Sequence, residues 1–327
     1  MLSYLSRRLV NMVITLVLIS IASFVVIQLP PGDFLTSYVA QLKQRGEIID
    51  EAAIQALEKH YGLDKPMIVQ YFKWIGGVLH GDFGYSFQWR RPVGQLLWER
   101  LGMTLTVALF TLIFTWAVSF PIGIYSATHQ YSLGDYTFTL IGFIGLATPS
   151  FLIALVFMWI AFSVFNQSVG GLFSPDFIQA PWSLAKALDL LRHLWMPALV
   201  IGLSGTAGLI RTIRANLLDE VARPYVETAR AKGVSERRLL FKYPVRIALI
   251  PYISVVGWSL PGLFSGETIV AVVLSLPTTG PLLLEALQSQ DMYLAGSFIL
   301  MLSVLTVIGT LISDLLLAWA DPRIRFE

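Results

Sequence analysis

Few side chains in this sequence are placed to do chemistry. Ser204, within Gly202-Leu203-Ser204-Gly205, stands in a setting like that of an intramembrane serine protease nucleophile. A serine needs a base to take its proton. The four histidines are His60, His80, His129 and His193, so no histidine follows Ser204 on a later helix and that arrangement is excluded. The histidines are scattered, no H-E-x-x-H occurs, and the chain has no cysteine, so neither a metal site nor thiolate catalysis is expected. There is no Gly-Lys dipeptide, hence no G-x-x-x-x-G-K-[ST] phosphate loop. If a nucleotide drives this protein, another chain binds it.

The residues that do form a pattern lie in the longest polar run, Asp219 to Pro251 (DEVARPYVETARAKGVSERRLLFKYPVRIALIP). Nine of the chain's 23 Lys and Arg fall between Arg211 and Arg246. The spacing predicts helix, break, helix. Pro224 suits a first helical turn, where its missing N–H would be unpaired anyway. Gly233 sits where a helix end wants a left-handed residue. Ser235 can cap a second helix, with Glu236 in its first turn at the positive dipole end. Leu239, Leu240 and Tyr243 follow, and Pro244 ends or kinks that helix. From charge alone this is equally a basic juxtamembrane loop touching anionic lipid. Glu227 and Glu236 interrupt the basic run, and the small residues Ala229 and Ala231 flank the break. Both features favour an element that docks into a protein groove.

Glu227-Thr228-Ala229, then three residues, Gly233, and finally Ala248-Leu249-Ile250-Pro251 resemble the EAA loop of permease subunits of binding-protein-dependent ABC importers. The run VETARAKGVSERRLLFKYPVRIALIP is similar to the dipeptide, oligopeptide and nickel type. YGLDKPMIVQYFKWIGGVLHGDFGYSF, HLWMPALVIG and DPRIRFE extend the likeness over nearly the whole chain. Thr228 stands where a second Ala is usual, Pro244 falls inside what is normally a continuous second helix, and LPTTGP at 276–281 departs from a pattern that usually reads more like PGLGR. The resemblance implies a type I ABC importer transmembrane domain in a bacterial or archaeal plasma membrane. It implies that the loop seats in clefts of ATPase subunits, with Glu227, Ala229, Gly233, Ser235, Glu236, Arg237 and Leu240 as coupling residues. The implied partners are a second permease subunit in a heterodimer, two ATPase subunits and an extracytoplasmic solute-binding protein, with no nucleic acid. No cofactor belongs to this chain; ATP and Mg sit on the ATPases. Peptides are the family's commonest cargo, and oligosaccharides, opines and nickel complexes use similar permeases.

The elements that must position this loop follow from composition. Hydrophobic residues are 55%, charged residues 13%, and the mean hydropathy is +0.68, which describes an all-α integral membrane protein. Six spans are expected. The first runs from Leu9 to Leu29 behind Ser6-Arg7-Arg8; no small-x-small cleavage site precedes Pro30-Pro31-Gly32, so it reads as a helix and not a signal peptide. Residues 30–100 read as an extracytoplasmic helical insert with eight basic and eight acidic residues. Asp50 caps one helix there, with Ile54, Leu57 and Tyr61 on one face, and Asp64-Lys65-Pro66 opens another carrying Tyr71, Trp74, Ile75, Val78 and Leu79. Its aromatics read as a small core packed on the membrane domain.

The core permease domain is 101–327, including the coupling loop 219–251. Its spans are expected at 101–127, 136–165, about 193–213, about 247–275 and about 292–320. Pro149 and Ser150 interrupt the third span, and a proline kink there is a candidate for lining a pathway. Ser204 and Gly208 form a small-xxx-small pair on the fourth. Glu267 and Asp314 are acidic residues inside spans, functional candidates by default because a charge in hydrocarbon is costly. Glu267 either faces a translocation cavity or bonds a neighbouring helix; Asp314 reads as structural. With the long insert set aside, 13 basic residues lie on the side of the loop against two on the other, which puts both termini in the cytoplasm. A secondary transporter working alone would need polar groups near the midplane, and only Glu267 approaches that.

Overall fold

In hydrocarbon a backbone can satisfy its hydrogen bonds only within a helix or a closed barrel, and among the described residues the long apolar runs are helical. A computed structural model describes residues 2–28, 65–86, 88–165, 170–249 and 268–320. In chain order these form α1 (Leu2–Gln28), α2 (Met67–Leu79), a hairpin of β1 (Tyr85–Ser86) and β2 (Arg91–Pro92), then α3 (Val93–Thr128), α4 (Leu133–Ala147) and α5 (Ser150–Phe165). There follow α6 (Leu184–Val221), α7 (Pro224–Ala231), α8 (Glu236–Lys242), α9 (Thr268–Val273), α10 (Thr279–Gln288) and α11 (Met292–Ala320). Residues 244–249 are also helical.

Among the described residues, Arg8–Gln28, Val93–Thr128, Leu184–Val221 and Met292–Ile312 are long and apolar enough to cross a membrane. The pair α4 and α5 adds a fifth if it is one broken span. The expected fifth span, about 247–275, lies outside the described residues except at its two ends. So do the helix expected after Asp50 and the DPRIRFE end.

Four elements differ from expectation. The expected third span is not one kinked helix: α4 and α5 meet at 110°. The ring of Pro149 disfavours helical backbone at the residue before it, and Thr148 is extended (φ −99°, ψ 129°), so α4 stops and a new helix begins. α3 and α6 have 36 and 38 residues. Each is about 55 Å long, far more than the roughly 30 Å of hydrocarbon requires. Residues 93–100 and 184–192, expected as insert and loop, are their first turns. The expected loop at 276–291 contains α10.

Contacts divide the chain into two units, built chiefly from Met1–Gly102 with Pro281–Val307, and from Met103–Gly280 with Ile308–Arg325. In the first, Ser20, Ser23, Phe24 and Ile27 form one buried stripe of α1 at helical spacing. Gly296 lets α11 pass close to that stripe: a Cβ there would overlap the Ile27 side chain and stand 3.2 Å from the Ser23 carbonyl. Asp291 joins the hairpin to α11. Its Oδ1 accepts the Leu294 N–H (3.4 Å) as a helix cap, while Oδ2 accepts the Ser86 hydroxyl (2.5 Å) and the Gln88 N–H (3.3 Å). Asp291 and Ser86 are buried.

In the second unit α4 packs on α6, with Gly142 against Ala207 and Gly145 against Leu203. One apolar cluster joins Leu190, Leu194, Met196 and Val200 of α6 to Val107, Ala154, Val270 and Leu274. The segment before α6 is pinned by Asp189, which accepts the Ser174 N–H (2.8 Å) and hydroxyl (2.7 Å). A second cluster joins Ile124 and Ala127 of α3 to Leu209, Ile213 and Leu217 of α6 and to Val245 and Ala248. This second cluster carries the polar loop.

Asp291→Ala removes a buried acceptor from two donors and a cap from α11. It should destabilise the protein by about 1–3 kcal/mol, read as an earlier midpoint when the purified chain is titrated with SDS. A wild-type midpoint would mean that the carboxylate does not hold the hairpin.

Candidate functional site

The polar loop is a compact helical pair, and its sequence explains each turn. α7 starts at Pro224, with Arg223 extended before it and no side-chain cap. It ends in a Schellman motif: the Gly233 N–H donates to the Arg230 carbonyl (3.0 Å) and the Val234 N–H to the Ala229 carbonyl (3.3 Å). Gly233 has φ 78°, and a Cβ on it would meet nothing within 4 Å. Glycine is therefore needed for the backbone angle and not for space. α8 begins after Ser235, whose carbonyl accepts the Leu239 N–H (2.8 Å). It ends at Lys242, because Tyr243 precedes Pro244 and leaves the helical region (φ −114°, ψ −81°).

Two apolar contacts fold the pair and seat it. Val226, Ala229 and Leu239 bury one another, with Tyr225, Val234 and Tyr243 around them. Leu240 turns the other way and packs on the Ile124–Ala248 cluster. Across the break, Arg230 grips Glu236 with two bonds, Nε to Oε1 (2.6 Å) and a terminal nitrogen to Oε2 (3.2 Å). That bond and charge hold the Glu236 carboxyl below the usual carboxylate range and the Arg230 guanidinium above its own. At the start of the pair, the Tyr225 hydroxyl donates to Glu220 at the end of α6 (2.6 Å). Burial, then the Glu220 carboxylate, push the Tyr225 phenol up to about 12.

What remains exposed is a mixed surface with a basic excess. Glu227, Thr228, Lys232, Arg237, Arg238, Phe241 and Lys242 all face outward. Arg237, Arg238 and Phe241 share one side of α8 by their three- and four-residue spacing. Phe241, half exposed, is the large apolar group on that face.

Of the residues expected from sequence to couple, Glu227 and Arg237 are exposed and Gly233 forms the break. Glu236 is exposed and engaged by Arg230. Ala229 and Leu240 point inward and hold the fold of the loop. Ser235 occupies the cap position as expected, but its side chain makes no cap bond. Pro149 and Ser150 form the α4–α5 break, where the Pro149 carbonyl accepts the Leu152 and Ile153 N–H groups (2.9 and 3.2 Å). Glu267 lies outside the described residues.

Sequence reading passed over Arg230, Phe241 and the pair Asp135–Arg214. The last is a two-pronged ion pair (3.2 and 3.1 Å) on a buried carboxylate that also accepts the Tyr131 N–H (3.0 Å). It ties the start of α4 to α6 near the turn into α7. A local signal existed for half of it: Ser132 accepts the Asp135 N–H (3.2 Å) as an S-x-x-D cap.

Residues 119–326 match the model of the family described as binding-protein-dependent transport system inner membrane component. Residues 1–108 match the corresponding N-terminal membrane component model. The chain is 36% identical to the oligopeptide transport system permease protein of Bacillus subtilis (strain 168), over 100% of both chains. It is 32% identical to the oligopeptide transport system permease protein of Mycobacterium tuberculosis (strain ATCC 25618 / H37Rv), over 98% of both. It is 30% identical to the dipeptide transport system permease protein of Escherichia coli (strain K12), over 100% of both.

Two outcomes check this local account. Gly233→Ala keeps the open space but strains the left-handed angle by about 1–1.4 kcal/mol. Amide exchange across 224–242 should then speed up roughly five- to tenfold; unchanged exchange would mean the angle does not hold the break. For Tyr225, the folded chain holds the proton more tightly than the unfolded one, whose phenol titrates near 10. Its contribution is complete below about pH 10 and lost as the pH rises toward 12. In an alkaline absorbance titration of the folded protein, Tyr225→Phe should delete a phenol that ionises late; loss of an early one would contradict the assignment.

Proposed function

The chain belongs to the family of binding-protein-dependent transport system inner membrane components, and from that premise we propose that it is one half of the translocation pathway of an ATP-driven peptide importer. The printed names of its relatives, oligopeptide and dipeptide transport permeases, support peptides as the cargo. In this reading the chain has six spans, the fifth over about 247–275, with both termini in the cytoplasm and residues 30–100 on the outer side. Its partners are a second, different permease chain, two ATPase subunits that hold ATP and Mg, and an extracytoplasmic solute-binding protein. This chain itself catalyses nothing.

One observation carries the coupling part of the proposal. The α7–α8 pair is a rigid element with an outward basic and aromatic face, and its inward face is packed on the ends of α3 and α6. Glu227, Arg237 and Phe241 contact an ATPase cleft, with Phe241 as the apolar anchor and Arg237, a residue type enriched at interface hot spots, beside it. Gly233, Glu236 and Ala229 keep the pair in shape, and Leu240 transmits its movement to α3 and α6. Closure of the ATPases moves the pair as a unit and switches the pathway between outward and inward access. Pro149 and Ser150, at the α4–α5 break, and Glu267 line that pathway.

The test is purification from native membranes in mild detergent, followed by reconstitution with the binding protein. A second permease and ATPase chains should copurify, and peptide uptake should require ATP. Gly233→Val places a β-branched residue at positive φ, a strain of about 1–3 kcal/mol. It should leave ATP hydrolysis running while uptake falls about tenfold, or it should block assembly. Glu267→Gln should slow uptake with assembly intact. A chain that purifies alone and carries solute without ATP would overturn the reading.

A further inference from the structure

We propose that α2 lies within the membrane, in the leaflet that receives the C-terminal end of α1, with its outward face against lipid acyl chains. The inference needs only that α1 spans the bilayer, not which way round it does so.

The depth of α2 is set by what it touches. The apolar span of α1 runs from Arg8 to Gln28. The Tyr71 hydroxyl bonds that of Ser20 (2.8 Å), and the rings of Tyr71 and Trp74 pack on Phe24 at 5.5 and 5.8 Å. Gln70 bonds Gln28 (2.8 Å). Ser20 lies eight residues before Gln28, about 12 Å along the helix. α2 therefore crosses α1 inside its apolar stretch and not beyond the end of it.

The other face of α2 is apolar as well. Ile68, Phe72 and Leu79, spaced to lie in one row, are 66, 64 and 79% exposed. Tyr71, Trp74 and Val78 form the neighbouring row that packs inward. The helix MIVQYFKWIGGVL holds no acidic residue, and its one lysine, Lys73, lies away from both rows. Water would leave the outer row uncompensated, whereas acyl chains match it, as they match Val17, Leu18, Ile21 and Val25 exposed at the same level of α1. The ends of α2 are polar, with Lys65 before it and His80-Gly81-Asp82 after it, and Tyr71, Trp74 and the exposed Trp98 place interfacial aromatics nearby in sequence and unit. With apolar rows on two sides and polar residues flanking its ends, the helix meets hydrocarbon on one side and α1 on the other. A buried α2 would also anchor the hairpin that follows it close to the membrane surface.

The absence of native cysteine makes the test direct. Ile68→Cys, Phe72→Cys and Leu79→Cys are each spin-labelled in the full chain, in its assembled complex, in liposomes. Collision with oxygen is compared with collision with a water-soluble nickel chelate, using Val17→Cys as the lipid reference and Lys65→Cys as the aqueous one. The three positions should follow the lipid reference, with an oxygen-to-chelate ratio about tenfold above the aqueous one. Dominance of the chelate would place α2 in water, and poor access to both would mean that protein covers the row; either result overturns the proposal. The unaltered chain gives a second reading. A photoactivatable diazirine carried at acyl-chain depth should label residues 67–79, and labelling of α1 without α2 would overturn the proposal.

Discussion

A peptide group in hydrocarbon has no water to bond, and this constraint decides where the chain can bend. At three described interruptions, groups freed by the break find new partners. Between α4 and α5, proline brings no N–H of its own, the Thr148 N–H reaches back to Ile144 (3.0 Å), and the Pro149 carbonyl takes two donors from α5. After α7 the left-handed Gly233 returns two N–H groups to the last turn. Before α11 a side chain does the same work, with Asp291 capping the helix and holding the hairpin.

The same economy gives the polar loop its stiffness. α7 and α8 are too short to be stable alone, so their shape comes from the Schellman turn, the Val226–Ala229–Leu239 contact and the Arg230–Glu236 clasp. Leu239 and Leu240 are adjacent in sequence but belong to different clusters, one inside the loop and one beneath it. The fold of the loop and its seat on α3 and α6 are thereby joined through two adjacent residues. The Asp135–Arg214 pair braces α6 at that end. In the proposed importer this connects the ATPases to the pathway.

Local features were legible in the sequence and non-local ones were not. Pro224, Gly233 and Pro244 each constrain their own backbone, so the helix–break–helix pattern was readable from residue types. The last span, expected at about 292–320, coincides with α11. The reach of the Ser235 hydroxyl was not, because cap geometry depends on how the chain arrives at the helix. Nor was the angle at Pro149: a proline signals a break, but 110° is set by what α4 and α5 pack against. Asp291 looks locally like a cap, yet its partner Ser86 is 205 residues away. Arg230 and Glu236 are six apart, a spacing that pairs only because Gly233 folds one helix back toward the other. The aromatics of α2 read as a core packed on the membrane domain, and Tyr71 and Trp74 do pack on α1; that their partners are Ser20 and Phe24 was not legible, because those residues are remote in sequence.

If the α7–α8 surface is where ATP hydrolysis is felt, it must touch the ATPase. In a chain without native cysteine, Arg237→Cys and Lys232→Cys can each be cross-linked within the assembled complex. The account predicts that these outward positions couple to an ATPase subunit and that the yield changes when ATP is bound. Tyr131→Cys, in the turn before α4, should couple far less. No cross-link from either loop position in a complex that still transports, or equal coupling from Tyr131→Cys, would contradict it.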